Sequence, residues 1–494
     1  PASRARFFSF LRSPEERSSA LLTAQAERPS AYSALHPSPN LEQDMPLFKK
    51  NLSPTLFDLQ EIQTAGVGRL LLEALATGLI SGFIIGVFRM AYNFVNATLV
   101  REFRLHVGTP EGMVLTGGAI LLCAVIAWLM VRHEPLISGS GIPHVELVLR
   151  GKMPMPWRRI LWTKFIGTLA SLSGGLSVGR EGPCIQMGAA VGCGVGRLWH
   201  DTKIRPRFLA GGSTAGMTAA FGAPLAGMFF SFEELHTVLT LPMLIFTAIT
   251  AASAWFVVDM ILKLGLVFPL STTEPSMALF WLSPLAGVAC GLFSCLYNWC
   301  LVSLTNGADR TGIKQPWRLS IAFLASFALV YIFPDVMTGL GPGIPDLAHG
   351  TLPIKTILLL WAVKICFNWF SFASGVSGGI LMPMLLAGGL TGALLSCLIG
   401  YADPAQSHTT LLVILCMAGL FSGTVRAPLT GAFLITEMTG AWLLLPAVLC
   451  TSVIASLLAN LLGSAPVYNS LRDRQLRNFR KAHPGWESSP ENLK

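Results

Sequence analysis

Long apolar stretches broken by short polar segments run from about residue 66 to residue 470. Charge-bounded runs fall at 69–99, 113–131, 160–178, 183–199, 206–233, 238–262, 276–304, 318–333, 355–372, 378–402, 410–435 and 441–462. A helix needs about 20 apolar residues to cross the hydrocarbon layer. Several runs reach or exceed that length, 276–304 among them, whereas 183–199 is too short and too glycine-rich to cross simply. The pattern predicts an all-α integral membrane protein of tilted and broken helices.

Composition sharpens this picture. Hydrophobic residues make up 52% of the chain and charged residues 12%, where soluble domains carry about 25% charge. The 48 glycines suit close helix packing in lipid and backbone breaks where a cavity is lined. Residues 1–65 differ in kind, rich in Ser, Pro and charge, and are expected to form a cytosolic tail; they hold no apolar stretch that fits a signal peptide. Basic residues cluster at Lys49 and Lys50 and again at Arg472, Arg474, Arg477, Arg480 and Lys481. The positive-inside rule then places both termini in the cytosol, with an even number of crossings and a short cytosolic tail at 471–494. The formal charge of +9 fits a membrane role and calls for no nucleic acid. The ten cysteines form no CxxC pair and no metal spacing with histidine, so they read as packing residues, and neither a metal nor a cofactor is expected.

Three motifs recur in the same order at an offset of about 200 residues. Gly139-Ser-Gly-Ile-Pro143 returns as Gly341-Pro-Gly-Ile-Pro345 (341 − 139 = 202), Gly179-Arg-Glu-Gly-Pro183 as Gly379-Ile-Leu-Met-Pro383 (379 − 179 = 200), and Ala223-Pro-Leu-Ala-Gly227 as Ala427-Pro-Leu-Thr-Gly431 (427 − 223 = 204). The chain is expected to hold two transmembrane repeats, 66–270 and 271–470. Paired halves with glycine and proline breaks characterise transporters and channels, because half-helix ends meet near the pseudo-symmetry axis. Sequence leaves open whether the halves are parallel or inverted.

In the Gly-x-x-x-Pro motifs, glycine permits a tight turn and proline is expected at the first helical position. Each motif starts a helix inside the membrane. The first turn leaves backbone N–H groups unsatisfied and carries about half a positive charge. A small anion is the natural ligand there, held without a lysine or arginine that would trap it.

These residues resemble the CLC family of chloride channels and chloride/proton antiporters. The resemblance rests on Gly139-Ser140-Gly141-Ile142-Pro143, Gly179-Arg180-Glu181-Gly182-Pro183, Gly379-Ile380-Leu381-Met382-Pro383 and Tyr468, and spans about 66–480. It implies two inverted repeats, a homodimer with one pathway per subunit, and chloride as the transported ligand. It implies that Ser140 and Tyr468 offer hydroxyls, and Ile380 and Leu381 backbone amides, to a dehydrated chloride. Leu381 stands where the family usually has phenylalanine. Read without the motifs, Ser140 suits a helix cap equally well and Tyr468 an interfacial anchor.

Glu181 is a carboxylate at an intramembrane helix start, a placement that costs about 2.5–3.5 kcal/mol and marks a functional site. Its repeat counterpart is Leu381. The resemblance makes Glu181 the gate, competing with the anion for the same amides and leaving when protonated; an ion pair with Arg180 is the structural alternative. Glu233 matches Glu437 in the other half, so both read as scaffold acids, whereas Glu234 faces Met438. By the resemblance Glu234 passes protons between cytosol and gate, which favours antiport over a passive gated channel; a solvated helix-end acid is the plainer reading. Lys164 is expected to pair with Glu146, and His144 to make local hydrogen bonds. The HExxH and Gly-x-Ser-x-Gly motifs of hydrolases are absent, so no enzyme is expected. A cation-coupled organic-solute symporter stays open, since such proteins also use repeats and broken helices.

Overall fold

The computed structural model describes residues 66–106, 108–199, 206–270, 279–333, 343–350, 352–402 and 408–484. The expected N-terminal tail, Gly341 and Pro342, and the end of the expected C-terminal tail lie outside these residues. All described residues belong to one compact unit, Leu56–Lys494.

Seventeen α-helices make up this unit among the described residues. In the first half they are α1 (Val67–His106), α2 (Pro110–His133), α3 (Ile142–Leu149), α4 (Trp157–Ser173), α5 (Glu181–Leu198), α6 (Pro206–Phe221), α7 (Pro224–Glu233) and α8 (Leu241–Trp255), the last continued by a π-helical turn, Phe256–Ile261. The second half repeats the order as α9 (Leu279–Arg310), α10 (Gln315–Ile332), α11 (Ile344–Ala348), α12 (Ile354–Ala373), α13 (Leu381–Ala402), α14 (Thr409–Val425), α15 (Pro428–Thr439) and α16 (Leu445–Leu461). Helix α17 (Val467–Ala482) follows without a counterpart. Eight helices among the described residues are long and apolar enough to cross a membrane. Apolar side chains on α2 such as Val114, Leu121 and Leu122 are exposed, as a lipid-facing surface requires. Helices α5, α6 and α14 are buried over nearly their whole length. At the α5–α6 crossing, a Cβ on Gly188 would strike the carbonyl of Gly212, so glycine there sets how closely the backbones approach.

Two of the predicted runs, 206–233 and 410–435, are each two helices. The breaks are equivalent: Gly222 (φ 71°) and Arg426 (φ 74°), a left-handed residue in each half, precede Ala-Pro and the next helix. Proline blocks continuation of the helix before it and suits the start of the one after. Arg426 holds its unfavourable backbone through bonds from Nε to Asn460 Oδ1 at 2.8 Å and from Nη2 to the Ser464 carbonyl at 2.8 Å.

The two halves are inverted, as three reciprocal contacts between sequence equivalents demonstrate. Gly179 and Gly379 exchange backbone hydrogen bonds of 2.7 and 2.6 Å as an antiparallel bridge. Phe229 and Phe433 stack at 4.9 Å with a 7° interplanar angle. Glu437, near the C-terminal end of α15, accepts from the Leu225 and Ala226 amides opening α7 at 3.0 and 2.9 Å; Glu233, ending α7, accepts from Leu429 and Thr430 opening α15 at 3.0 and 2.7 Å. Each contact maps onto itself when the halves are exchanged, which a two-fold axis requires. A C-terminal carboxylate reaching the partner's N-terminus means that α7 and α15 run antiparallel. The shared acids are therefore reciprocal helix caps, satisfying amides that lipid could not.

A hydrogen bond to a charged group contributes about 1.5–3 kcal/mol. Glu437→Ala, which uncaps α7, is expected to cost about 2 kcal/mol and to lower the thermal midpoint in detergent; an unchanged midpoint would refute the capping role.

Candidate functional site: three helix starts and two unpaired side chains

Extended segments before α3, α5 and α13 tie the site together. The Gly139 amide donates to Val376 at 2.9 Å, and the Gly378 amide donates back to the Gly139 carbonyl at 3.1 Å. Ser138 Oγ donates to the Gly375 carbonyl at 2.7 Å, and the Thr168 and Ser377 hydroxyls lie 2.9 Å apart. With the Gly179–Gly379 bridge, these contacts bring together three helix N-termini from both halves. Gly182 lets the start of α5 approach the Ser140 backbone closely: a Cβ there would lie 2.6 Å from the Ser140 carbonyl oxygen.

The helix starts differ slightly from the expected pattern. Pro143 is the second residue of α3, while Pro183 and Pro383 are the third residues of α5 and α13. None of these positions needs an N–H, because the first intrahelical bonds are donated later, by Val145, Cys184 and Met384. The amides at Glu181 and Gly182, and at Leu381 and Met382, thus point ahead of their helices without intrahelical acceptors.

Glu181 occupies one of these ends. Its Oε2 accepts from the Met382 amide of the opposite half at 3.3 Å, and the amides of Arg180 and Glu181 also face the carboxylate. Oε1 is buried without a hydrogen-bond partner. Among the described residues no ion pair joins Glu181 to Arg180. An acidic side chain is thus seated against helix-start amides of both halves.

Ser140 is buried and accepts only a long 3.4 Å bond from the Ile142 amide; Gly141, not Ser140, is the cap residue of α3. Tyr468, in the first turn of α17, is fully buried and its hydroxyl has no hydrogen-bond partner. It lies within electrostatic reach of both Glu181 and Glu234. An unpaired buried phenol is costly, and an acceptor for its O–H hydrogen bond relieves that cost. Asn298 fixes the approach to α17, its amide donating to the Thr424 and Ala465 carbonyls at 3.1 Å each. Ile380 and Leu381 are buried at the start of α13. Glu234 caps the C-terminal end of α7, its side chain buried.

A family model described as voltage gated chloride channel matches residues 121–460. The chain is 31% identical over 435 residues to the H(+)/Cl(-) exchange transporter ClcA of Vibrio parahaemolyticus serotype O3:K6, covering 83% of this chain and 90% of that one. It is 30% identical over 425 residues to the ClcA exchange transporter of Cronobacter sakazakii, covering 82% and 90%. The chain belongs to the CLC family. Among solved structures, a slow cyanobacterial Cl-/H+ antiporter superposes with a TM-score of 0.75 at 27% identity, covering 83% of this chain and 98% of that one. A eukaryotic CLC transporter superposes at 0.70 with 22% identity, covering 83% and 74%, and shares the fold.

Against this CLC frame, one expected pairing is wrong. Lys164 does not meet Glu146; its ammonium is fully buried and donates to the Ile137 and Gly139 carbonyls at 2.7 Å each. Two carbonyl dipoles suit a buried ammonium, and these bonds fix the loop that presents Ser140. Glu146 Oε1 instead accepts from Arg150 Nη2 and Arg472 Nη1, both at 2.6 Å. His144 behaves as expected, its ring nitrogens bonded to Gln186 and the Pro154 carbonyl at 3.0 Å each.

Sequence reading missed Arg472. It lies one turn after Tyr468 on α17, and Glu146 lies one turn after Ile142 on α3, so this pair fastens the helix that carries Tyr468 to the helix that follows Ser140. The available signal was a charge at Glu146 inside an apolar segment, four residues from Arg150.

Removing one partner of a buried ion pair costs about 3–5 kcal/mol. Because Arg150 still serves Glu146, Arg472→Gln is expected near the lower end, read as a lower thermal midpoint in detergent; an unchanged midpoint would contradict the fastening role.

Proposed function

We propose that this protein exchanges chloride for protons across a membrane, with Glu181 as gate and Glu234 as the proton-transfer acid. The observation that carries the reading is the Glu181 carboxylate seated on the Met382 amide of the opposite half. A helix start that accepts a carboxylate accepts a halide by the same dipole and N–H groups. When Glu181 takes a proton its hold on these amides weakens, and an anion replaces it. Protonation and anion entry are thereby linked at one place.

The central chloride would be held by the Ser140 and Tyr468 hydroxyls and by the amides of Ile380 and Leu381. Leu381 contributes through its backbone, so the missing aromatic ring leaves that contact available. Gly139, Gly141, Ile142, Pro143, Gly179, Arg180, Gly182, Pro183, Gly379 and Pro383 shape the three helix starts. Glu234 supports antiport because it is buried, belongs to one half alone, and shares Tyr468 as an electrostatic neighbour with Glu181. The relatives named as H(+)/Cl(-) exchange transporters favour the same reading. We assign the repeats to 66–270 and 271–470, place both termini in the cytosol, and take the functional unit as a homodimer with one pathway per subunit. Chloride is substrate here, and the proposed cycle uses no cofactor.

Two flux measurements in liposomes test this. A chloride gradient is expected to drive uphill proton movement, lost in Glu234→Gln while chloride flux persists; chloride movement without protons in the wild type would make the protein a passive channel. The ionised Glu181 blocks and the protonated form admits, so wild-type flux should rise as pH falls. Glu181→Gln should give flux independent of pH, and a retained steep pH dependence would remove Glu181 from the gate.

A further inference from the structure

Two buried guanidinium groups, Arg180 next to Glu181 and Arg89 next to Arg180, form no ion pair among the described residues. Arg180, immediately before Glu181, holds its guanidinium 5.9 Å from the Tyr92 ring centroid. Arg89 lies on α1 one turn before Tyr92, and its charge and that of Arg180 are within electrostatic range of each other. Relative exposure is 3% for Arg89 and 8% for Arg180, so both are more than nine-tenths buried. The Nε atom of each is buried with no acceptor. Arg89 Nη1 donates to the Ala219 carbonyl at 2.9 Å, a dipole rather than a counter-charge.

The acids nearby do not close the account. Asp259 is within electrostatic range of Arg89, yet among the described residues the two form no ion pair. The Glu181 carboxylate is turned to the Met382 amide and forms no ion pair with Arg180. Guanidinium groups do not deprotonate in proteins, so two like charges persist in a desolvated place. Burial of even one charge is costly unless it is paired. Neighbouring guanidinium groups with free N–H donors gain most from an anion shared between them.

We infer that Arg89 and Arg180 form a second anion site, which holds a small inorganic anion beside the gate while Glu181 occupies the helix-end amides. The inference rests on the proposed anion pathway and extends it. The Arg180 guanidinium faces the Tyr92 ring, and Arg89 is on the same helix as Tyr92, so the arginine pair lies on the α1 side of the gate. An anion waiting there enters the amide site as soon as Glu181 is protonated and withdraws.

Bromide is the probe, because its anomalous scattering locates it directly. Crystals soaked at saturating bromide are expected to show density between Arg89 and Arg180 and, separately, beside Tyr468. In Arg89→Gln the first density should disappear and the second remain, which also establishes that the variant is folded; Arg89→Lys should restore part of the first. In liposomes, Arg89→Gln should raise the half-saturating chloride concentration by roughly five- to tenfold at low ionic strength, with a smaller effect at high salt. Wild-type crystals with no density at the arginines, or density there that survives Arg89→Gln, would overturn the inference. Density at the arginines with none beside Tyr468 would support this site while contradicting the central one, so the two claims fail separately.

Discussion

Backbone N–H groups at the start of a helix, placed inside a membrane, must find a partner, and that requirement organises this protein. Lipid offers none, so each interrupted helix must present its first turn to protein, to water or to an anion. At the starts of α7 and α15 the partner is a glutamate from the opposite half, Glu437 or Glu233. At the start of α13 it is Glu181, held through a 3.3 Å bond from the Met382 amide. The same problem thus has a fixed solution at one pair of helix ends and, in the proposed cycle, an exchangeable one at another. On that proposal the scaffold acids come as a matched pair and the gate does not.

The inverted arrangement follows from the same constraint. Two half-helices running antiparallel can each cap the other with a C-terminal carboxylate, which parallel neighbours could not do reciprocally. The Gly179–Gly379 bridge applies this logic to backbone alone, and it brings the starts of α5 and α13 face to face. Around this centre the remaining polar contacts act as fasteners: Lys164 on the Gly139 loop, and Arg472 on Glu146 between α17 and α3. The Arg89–Arg180 pair is the exception, a concentration of charge without an acidic partner among the described residues, and for that reason it points to a ligand.

Much of this was legible in the sequence because glycine and proline mark backbone events. The Gly-x-x-x-Pro motifs mark helix starts, and the near-constant offset of the three motif pairs reveals the duplication. The comparison of Glu233 with Glu437 separated scaffold from candidate function by symmetry alone. In the sequence, inversion follows from the family resemblance alone, since an offset carries no direction in space. The breaks at Gly222 and Arg426 were hidden inside apolar runs, and Arg426 disguised its half because arginine seldom adopts a left-handed backbone. The Lys164 partner was misjudged for a different reason: charge complementarity suggested an acid, but the loop carbonyls of Ile137 and Gly139 were nearer. Such carbonyl partners leave no trace in side-chain identity. Arg472 was read only as one of a cluster of cytosolic basic residues, its distance of 326 positions from Glu146 concealing the contact.

The central claim is that the Glu181 carboxylate and a transported anion compete for one set of helix-end amides. Calorimetric titration of chloride into purified protein tests it most directly, comparing wild type with Glu181→Gln at a pH where the glutamate is ionised. Competition predicts that the neutral variant binds chloride more tightly or takes up an additional chloride per subunit. The same affinity and the same stoichiometry in both proteins would contradict it.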